Sequence, residues 1–149
     1  MSGSQVYDPS DYQFVDTNIL VYAHDTTAGS KHTQAKELIQ TLWESKRGCL
    51  SIQVLQEFYV TITRKVAKPL APDQASFVIG SLGTWYVHRP SVYDIQNAII
   101  LQERYQISLW DAMIIHSAVS LDCGLVWSED LNAGQIYETV RVLDPFRLS

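Results

Sequence analysis

Four acids stand in stretches of the chain that are otherwise apolar. Asp16 lies within FVDTNILVY (14–22), Glu57 within LQEFY (55–59), Asp111 within LWDAMI (109–114), and Asp130 follows LVWS (125–128) with Glu129 before it. A carboxylate in such surroundings loses hydration and must be paired, hydrogen-bonded or metal-bound. Carboxylates gathered at one place repel one another and hold raised pKa values unless a cation neutralises them. An all-oxygen set, with no Cys or His at ligand spacing, suits magnesium or manganese and not zinc. Such an ion lowers the pKa of an attacking water, draws charge from a phosphate and steadies a leaving oxygen. Phosphodiester hydrolysis uses all three effects.

Each acid also has a local explanation. Asp111 can cap a helix through Ser108-Leu-Trp-Asp111, and Asp130 can be a turn acid at a strand exit. Glu129 reads as a solvated neighbour, and Glu57 is exposed if its helix is phased differently. Asp16 is the hardest to explain this way, because a β run rarely tolerates it. Thr17, Asn18 and Ser128 are placed to orient these carboxylates or a metal-bound water, or else to satisfy nearby backbone groups. Arg64, Lys65 and Lys68 fall within five residues. They are either phosphate contacts for a nucleic acid or a solvated helix end. His24 reads as a loop residue and His116 as a satisfied histidine.

The elements that would carry these acids alternate. Residues 1–12 form an irregular lead-in, and 13–149 a single domain. The run 14–22 reads as a buried parallel strand. Ala35, Leu38, Ile39 and Leu42 give helical spacing across 31–45. A strand at 48–52 precedes a helix at 53–66, with Val54, Leu55, Phe58 and Ile62 on one side. Pro69 and Pro72 bound a linker. A helix at 73–82 and a strand at 85–88 follow. Ser91 and Ser108 open two further helices with the Ser-x-x-Asp arrangement, and strands are expected at 125–128 and 139–143. Asn132 and Gly134 suggest a tight turn, with Gly134 also allowing close approach of backbone or substrate. This alternation predicts an α/β fold, a three-layer α/β/α sandwich with a mainly parallel sheet. In such sheets, sites form beyond the carboxyl ends of the strands, where the four acids could converge.

Composition narrows the function classes. A net charge of −5 argues against a protein that coats nucleic acid by charge alone, but not against an enzyme whose carboxylates are buried or metal-bound. Two cysteines, no apolar leader in the first dozen residues and no apolar run of membrane-spanning length predict a cytoplasmic protein. No phosphate-binding glycine loop or serine-hydrolase elbow is present.

Taken in order, FVDTNILVY, LQEFY, LWDAMI, SEDLNAG (128–134) and VRVLDPF (140–146) resemble a PIN domain. The resemblance covers nearly all of the chain after about residue 13. It implies a compact α/β/α domain with an acidic pocket formed by Asp16, Glu57, Asp111 and Asp130, supported by Thr17, Asn18 and Ser128, with Glu129 in a less uniform role. Length and the sequence after the last acid resemble the VapBC-type toxins of type II toxin–antitoxin pairs, although the lead-in before Phe14 is longer than in many of them. That likeness implies a magnesium- or manganese-dependent ribonuclease acting on tRNA or rRNA, a homodimer and a cognate antitoxin. Three alternatives remain open at this level. They are an RNA-processing nuclease that is not a toxin, a PIN-like scaffold that binds RNA or protein without cutting, and a phosphohydrolase of small esters.

Overall fold

The computed structural model describes residues 7–148. Residues 1–6 of the lead-in and Ser149 lie outside them, and residues 7–12 are irregular. The chain runs β1 (Gln13–Val15), α1 (Thr17–His24), α2 (Ser30–Ser45), β2 (Gly48–Ser51), α3 (Ile52–Arg64), α4 (Pro72–Leu82), β3 (Tyr86–His88), α5 (Val92–Tyr105), α6 (Leu109–Ser120), β4 (Leu125–Trp127), β5 (Ile136–Tyr137) and β6 (Val140–Leu143). The strands form one sheet in the order β3-β2-β1-β4-β6-β5. Every pairing is parallel except the terminal β5–β6 hairpin. Helices flank the sheet, giving the expected α/β/α sandwich.

The strand order explains where a site can form. From β1 the chain builds outward through β2 to β3, then returns to the other side of β1 with β4 and β6. The direction of build reverses between β1 and β4, and loops leaving those two strands diverge to open a crevice. β1, β2 and β4 are buried along their whole length. Phe14, Leu50, Val126 and Trp127 form the middle of the core, with Ile19, Phe58, Ile62 and Ile115 packed from the helices. Cys49 and Cys123 are free thiols, both buried.

The run 14–22 is not one strand. β1 stops at Val15, Asp16 adopts extended angles as the cap, and α1 begins at Thr17. Ile19, Leu20, Val21 and Ala23 are buried around most of that helix, so it lacks the polar face that separates a helix from a buried strand in sequence. Pro72 is the first residue of α4 and not the end of a linker, a position where its missing N–H costs nothing. β5 carries no strand signal in the sequence. It joins β6 through Glu138-Thr139, where Glu138 holds φ at +54° without the Asn-Gly or Asp-Gly pair that usually marks such a turn. Gly134 does sit in a turn, at φ +85°, closed by a hydrogen bond from the Gln135 amide to the Asn132 carbonyl at 3.2 Å. An added Cβ there would meet nothing within 4 Å, so its positive φ and not a close approach calls for glycine. No helix among the described residues is long and apolar enough to cross a membrane.

Candidate functional site

β1 and β4 lie in register, Val15 opposite Trp127. The next residues, Asp16 and Ser128, therefore leave the sheet side by side at its carboxyl edge. The Asp16 amide continues the ladder to the Trp127 carbonyl at 2.9 Å. Its side chain then turns back over the start of α1 and accepts from the Thr17 amide at 2.7 Å. The Ser128 hydroxyl, fully buried, donates to the other carboxylate oxygen at 2.7 Å. Asn18 donates to that same oxygen at 3.3 Å.

The same few side chains tie in the other acids. Asn18 Nδ2 donates to Asp130 at 3.0 Å, while its Oδ1 accepts from the Glu129 amide at 3.1 Å. Ser128 Oγ accepts from the amides of Asp130 and Leu131 at 3.1 and 3.3 Å, so one hydroxyl sets both the strand exit and Asp16. Thr17 donates to Glu57 Oε1 at 2.9 Å, joining the start of α1 to the second turn of α3. Asp111 comes from the first turn of α6, where Ser108 Oγ accepts from its amide at 3.0 Å. All four carboxylates, with Thr17 and Asn18, line one cleft of about 780 Å³.

Burial dominates the electrostatics. It pushes the Asp16 carboxyl up to about 6; the bonds from Ser128 and Thr17 pull the other way, and the charges of Asp130 and Glu57 push it higher still. Burial also raises Asp111, with the Asp130 charge adding to it. For Glu129, burial raises the pKa, but Lys31 and Tyr22 outweigh it and leave the group below the ordinary range. An anion that is costly to keep ionised beside like charges is a place where a cation stabilises the site.

Among the described residues, no group of three or more His, Cys, Asp or Glu side chains is already drawn together to hold a metal ion. Donors from Thr17, Asn18 and Ser128 instead hold the carboxylates, with Asn18 bonded to both Asp16 and Asp130. The donor set nevertheless fits a hard divalent cation. It is all oxygen, and one oxygen each of Asp130 and Glu57 has no protein donor among the described residues.

The remaining expected residues separate. Glu129 does not face the cleft; it accepts from Tyr22 OH at 2.7 Å and pairs with Lys31, bracing Tyr22, which does line the wall. Lys65 stands in the cleft wall, whereas Arg64 and Lys68 do not. His24 ends α1, its ring edge-on to Phe58 and bonded to the Leu20 carbonyl. His116, on the same helix as Asp111, bonds to Asp94 and is not in the cleft wall. Sequence reasoning missed Trp110, Gln53 and Gln56 in the wall. Glutamine is common on helix surfaces and carries no signal, and only the fold brings the start of α3 beside Trp110, where Gln53 Nε2 donates to its carbonyl.

A family model described as PIN domain matches residues 14–138. None of the curated proteins matches the chain. Among solved structures, a toxin–antitoxin complex from Klebsiella pneumoniae is similar at TM-score 0.68 and 18% identity, covering 91% of this chain and 99% of that one. The sarcin–ricin-loop-cleaving toxin VapC20 of Mycobacterium tuberculosis is similar at TM-score 0.60 and 18% identity, covering 79% and 89%. The DNA-bound VapBC complex of Salmonella typhimurium is similar at TM-score 0.62 and 18% identity, covering 89% and 97%.

Proposed function

The chain belongs to the PIN domain family, and on that premise we propose that it is a magnesium- or manganese-dependent endoribonuclease, the toxin of a toxin–antitoxin pair. The observation that carries this reading is the meeting of Asp16, Glu57, Asp111 and Asp130 from four separate elements in one cleft at the switch point of the sheet. Asp16, Asp111 and Asp130, with Glu57, would hold the cation, which when bound supplies charge stabilisation and a water of lowered pKa. Thr17, Asn18 and Ser128 keep the carboxylates aimed by fixed hydrogen bonds. Lys65, in the cleft wall, would take a backbone phosphate. A water oxygen attacks phosphorus in line with the ribose 3′-oxygen, that oxygen leaves, and the products carry a 5′-phosphate and a 3′-hydroxyl.

The toxin assignment draws support from the solved structures with similar folds, whose names describe toxin–antitoxin complexes and a toxin that cuts the sarcin–ricin loop. For this chain the substrate class would be tRNA or rRNA, and the buried free thiols suit the reducing cytoplasm. Val92, Tyr93 and Ile100 are more than half exposed on α5, and Phe77 is 77% exposed on α4, apolar surface of the kind a homodimer or a bound antitoxin covers. Expressing the wild-type chain should arrest growth, and Asp16→Asn should relieve the arrest at equal protein level. Equal growth with both would overturn the toxin reading. Cleavage without arrest would favour an RNA-processing nuclease, and RNA binding unchanged by EDTA with no cleavage a non-catalytic scaffold.

A further inference from the structure

Trp110 is 64% exposed, one residue before Asp111, in the wall of the acidic cleft. Indoles usually bury their large apolar surface, and this protein's Trp127 is buried while Trp43 and Trp85 pack edge to face on each other. Among the described residues no aromatic ring packs on Trp110. The backbone there is held, though: Gln53 Nε2 at the start of α3 donates to the Trp110 carbonyl at 3.3 Å. The ring is thus carried on a pinned helix end beside the candidate metal carboxylates, with its apolar surface left in water.

The surroundings identify what would cover it. The α3 wall offers the amide of Gln56 and, further along, the ammonium of Lys65. A flat π surface, amide donors and acceptors, and a cation near a phosphodiester-cleaving centre together match an unstacked nucleotide. A small phosphate ester has no use for the ring, and a duplex keeps its base faces stacked inside. We propose that Trp110 is a positioning residue that stacks on a nucleobase next to the scissile phosphate, so that the substrate must present an unpaired, unstacked base there. This rests on the nuclease reading above and deepens it.

The test separates binding from cutting. Short single-stranded RNAs carrying 2-aminopurine at successive positions are titrated in EDTA with the wild-type protein, Trp110→Phe and Trp110→Leu, and cleavage of the same RNAs is then followed in magnesium. Unchanged circular dichroism and melting temperature establish that the variants fold. Trp110→Leu should weaken binding about five- to a hundredfold, the range that loss of one base–aromatic stack produces, and should abolish quenching at one position. Trp110→Phe should restore most of both, and replacing the quenched base by an abasic site should make wild type and Trp110→Leu equal. Unchanged binding and quenching in Trp110→Leu, or equal competition by a duplex of the same length, would overturn the inference while any cleavage left the nuclease reading standing. Position-specific quenching by a wild-type protein that cuts no RNA would do the reverse.

Discussion

At the scale of the residue, Asp16 concentrates the conflict between folding and chemistry. Its carboxyl is held near 6 in the folded protein against an ordinary value of 3.8. Between those values the folded state binds more protons than the unfolded one, so stability from this group falls as pH rises through the window. Two units correspond to roughly 3 kcal/mol. Without divalent cations, the stability of wild type relative to Asp16→Asn should fall by roughly that amount from pH 4 to pH 7, as read by urea denaturation. A difference that stays constant with pH would mean that Asp16 is not buried as described. Ser128 makes a second test. Ser128→Ala takes the donor from Asp16 and the acceptor from the Asp130 and Leu131 amides. It should cost about 1–3 kcal/mol in the same assay and lower cleavage more than loss of folded protein explains.

At the scale of the element, the acids were easier to find than the structures that hold them. Asp16, Glu57, Asp111 and Asp130 drew attention as charges in apolar runs, and each does line the cleft. The run around Asp16 reads as a single strand because an all-round apolar helix and a buried strand share a sequence pattern. The correction changes the physics of the residue: Asp16 is a strand-exit cap with an amide to bind, not a charge stranded in a sheet. The capping box at Ser91 was legible, since Ser91 and Asp94 satisfy each other's amides. What the sequence did not show is that Asp94 also receives His116 at 2.8 Å and lies 3.5 Å from His88, tying α5 to α6 and β3. The Ser91 amide first, then His116, hold the Asp94 carboxyl down at about 2. Its folded pKa lies below the unfolded value, so its contribution is present above about pH 4 and lost as pH falls toward 2. Asp94→Ala should therefore cost about 1–2 kcal/mol at neutral pH, with the gap to wild type closing in acid. A gap of constant size down to the acid limit would contradict this account of the cap.

At the scale of the whole molecule, alternating elements made the α/β/α sandwich legible, while strand order was not. No local pattern tells that β4 returns beside β1, and that return is what brings Ser128 to Asp16. The net charge of −5 also takes on meaning only in the fold, where five acids, the four candidate ligands and Asp25, share one cleft. A cation entering that cleft must displace the proton that Asp16 retains below about pH 6. Magnesium or manganese should accordingly raise the melting temperature more at pH 7.5 than at pH 5, and Asp16→Asn should remove most of the difference. An equal rise at both pH values would place the cation elsewhere.

The most direct test of a metal-dependent nuclease is to incubate the purified chain with total RNA and magnesium or manganese, map every new end by sequencing, and repeat with EDTA and with Asp16→Asn. The account predicts cuts at a few sites, each leaving a 5′-phosphate, that vanish in both controls. Intact RNA from folded, inhibitor-free protein, or cuts that persist in EDTA and in Asp16→Asn, would contradict it.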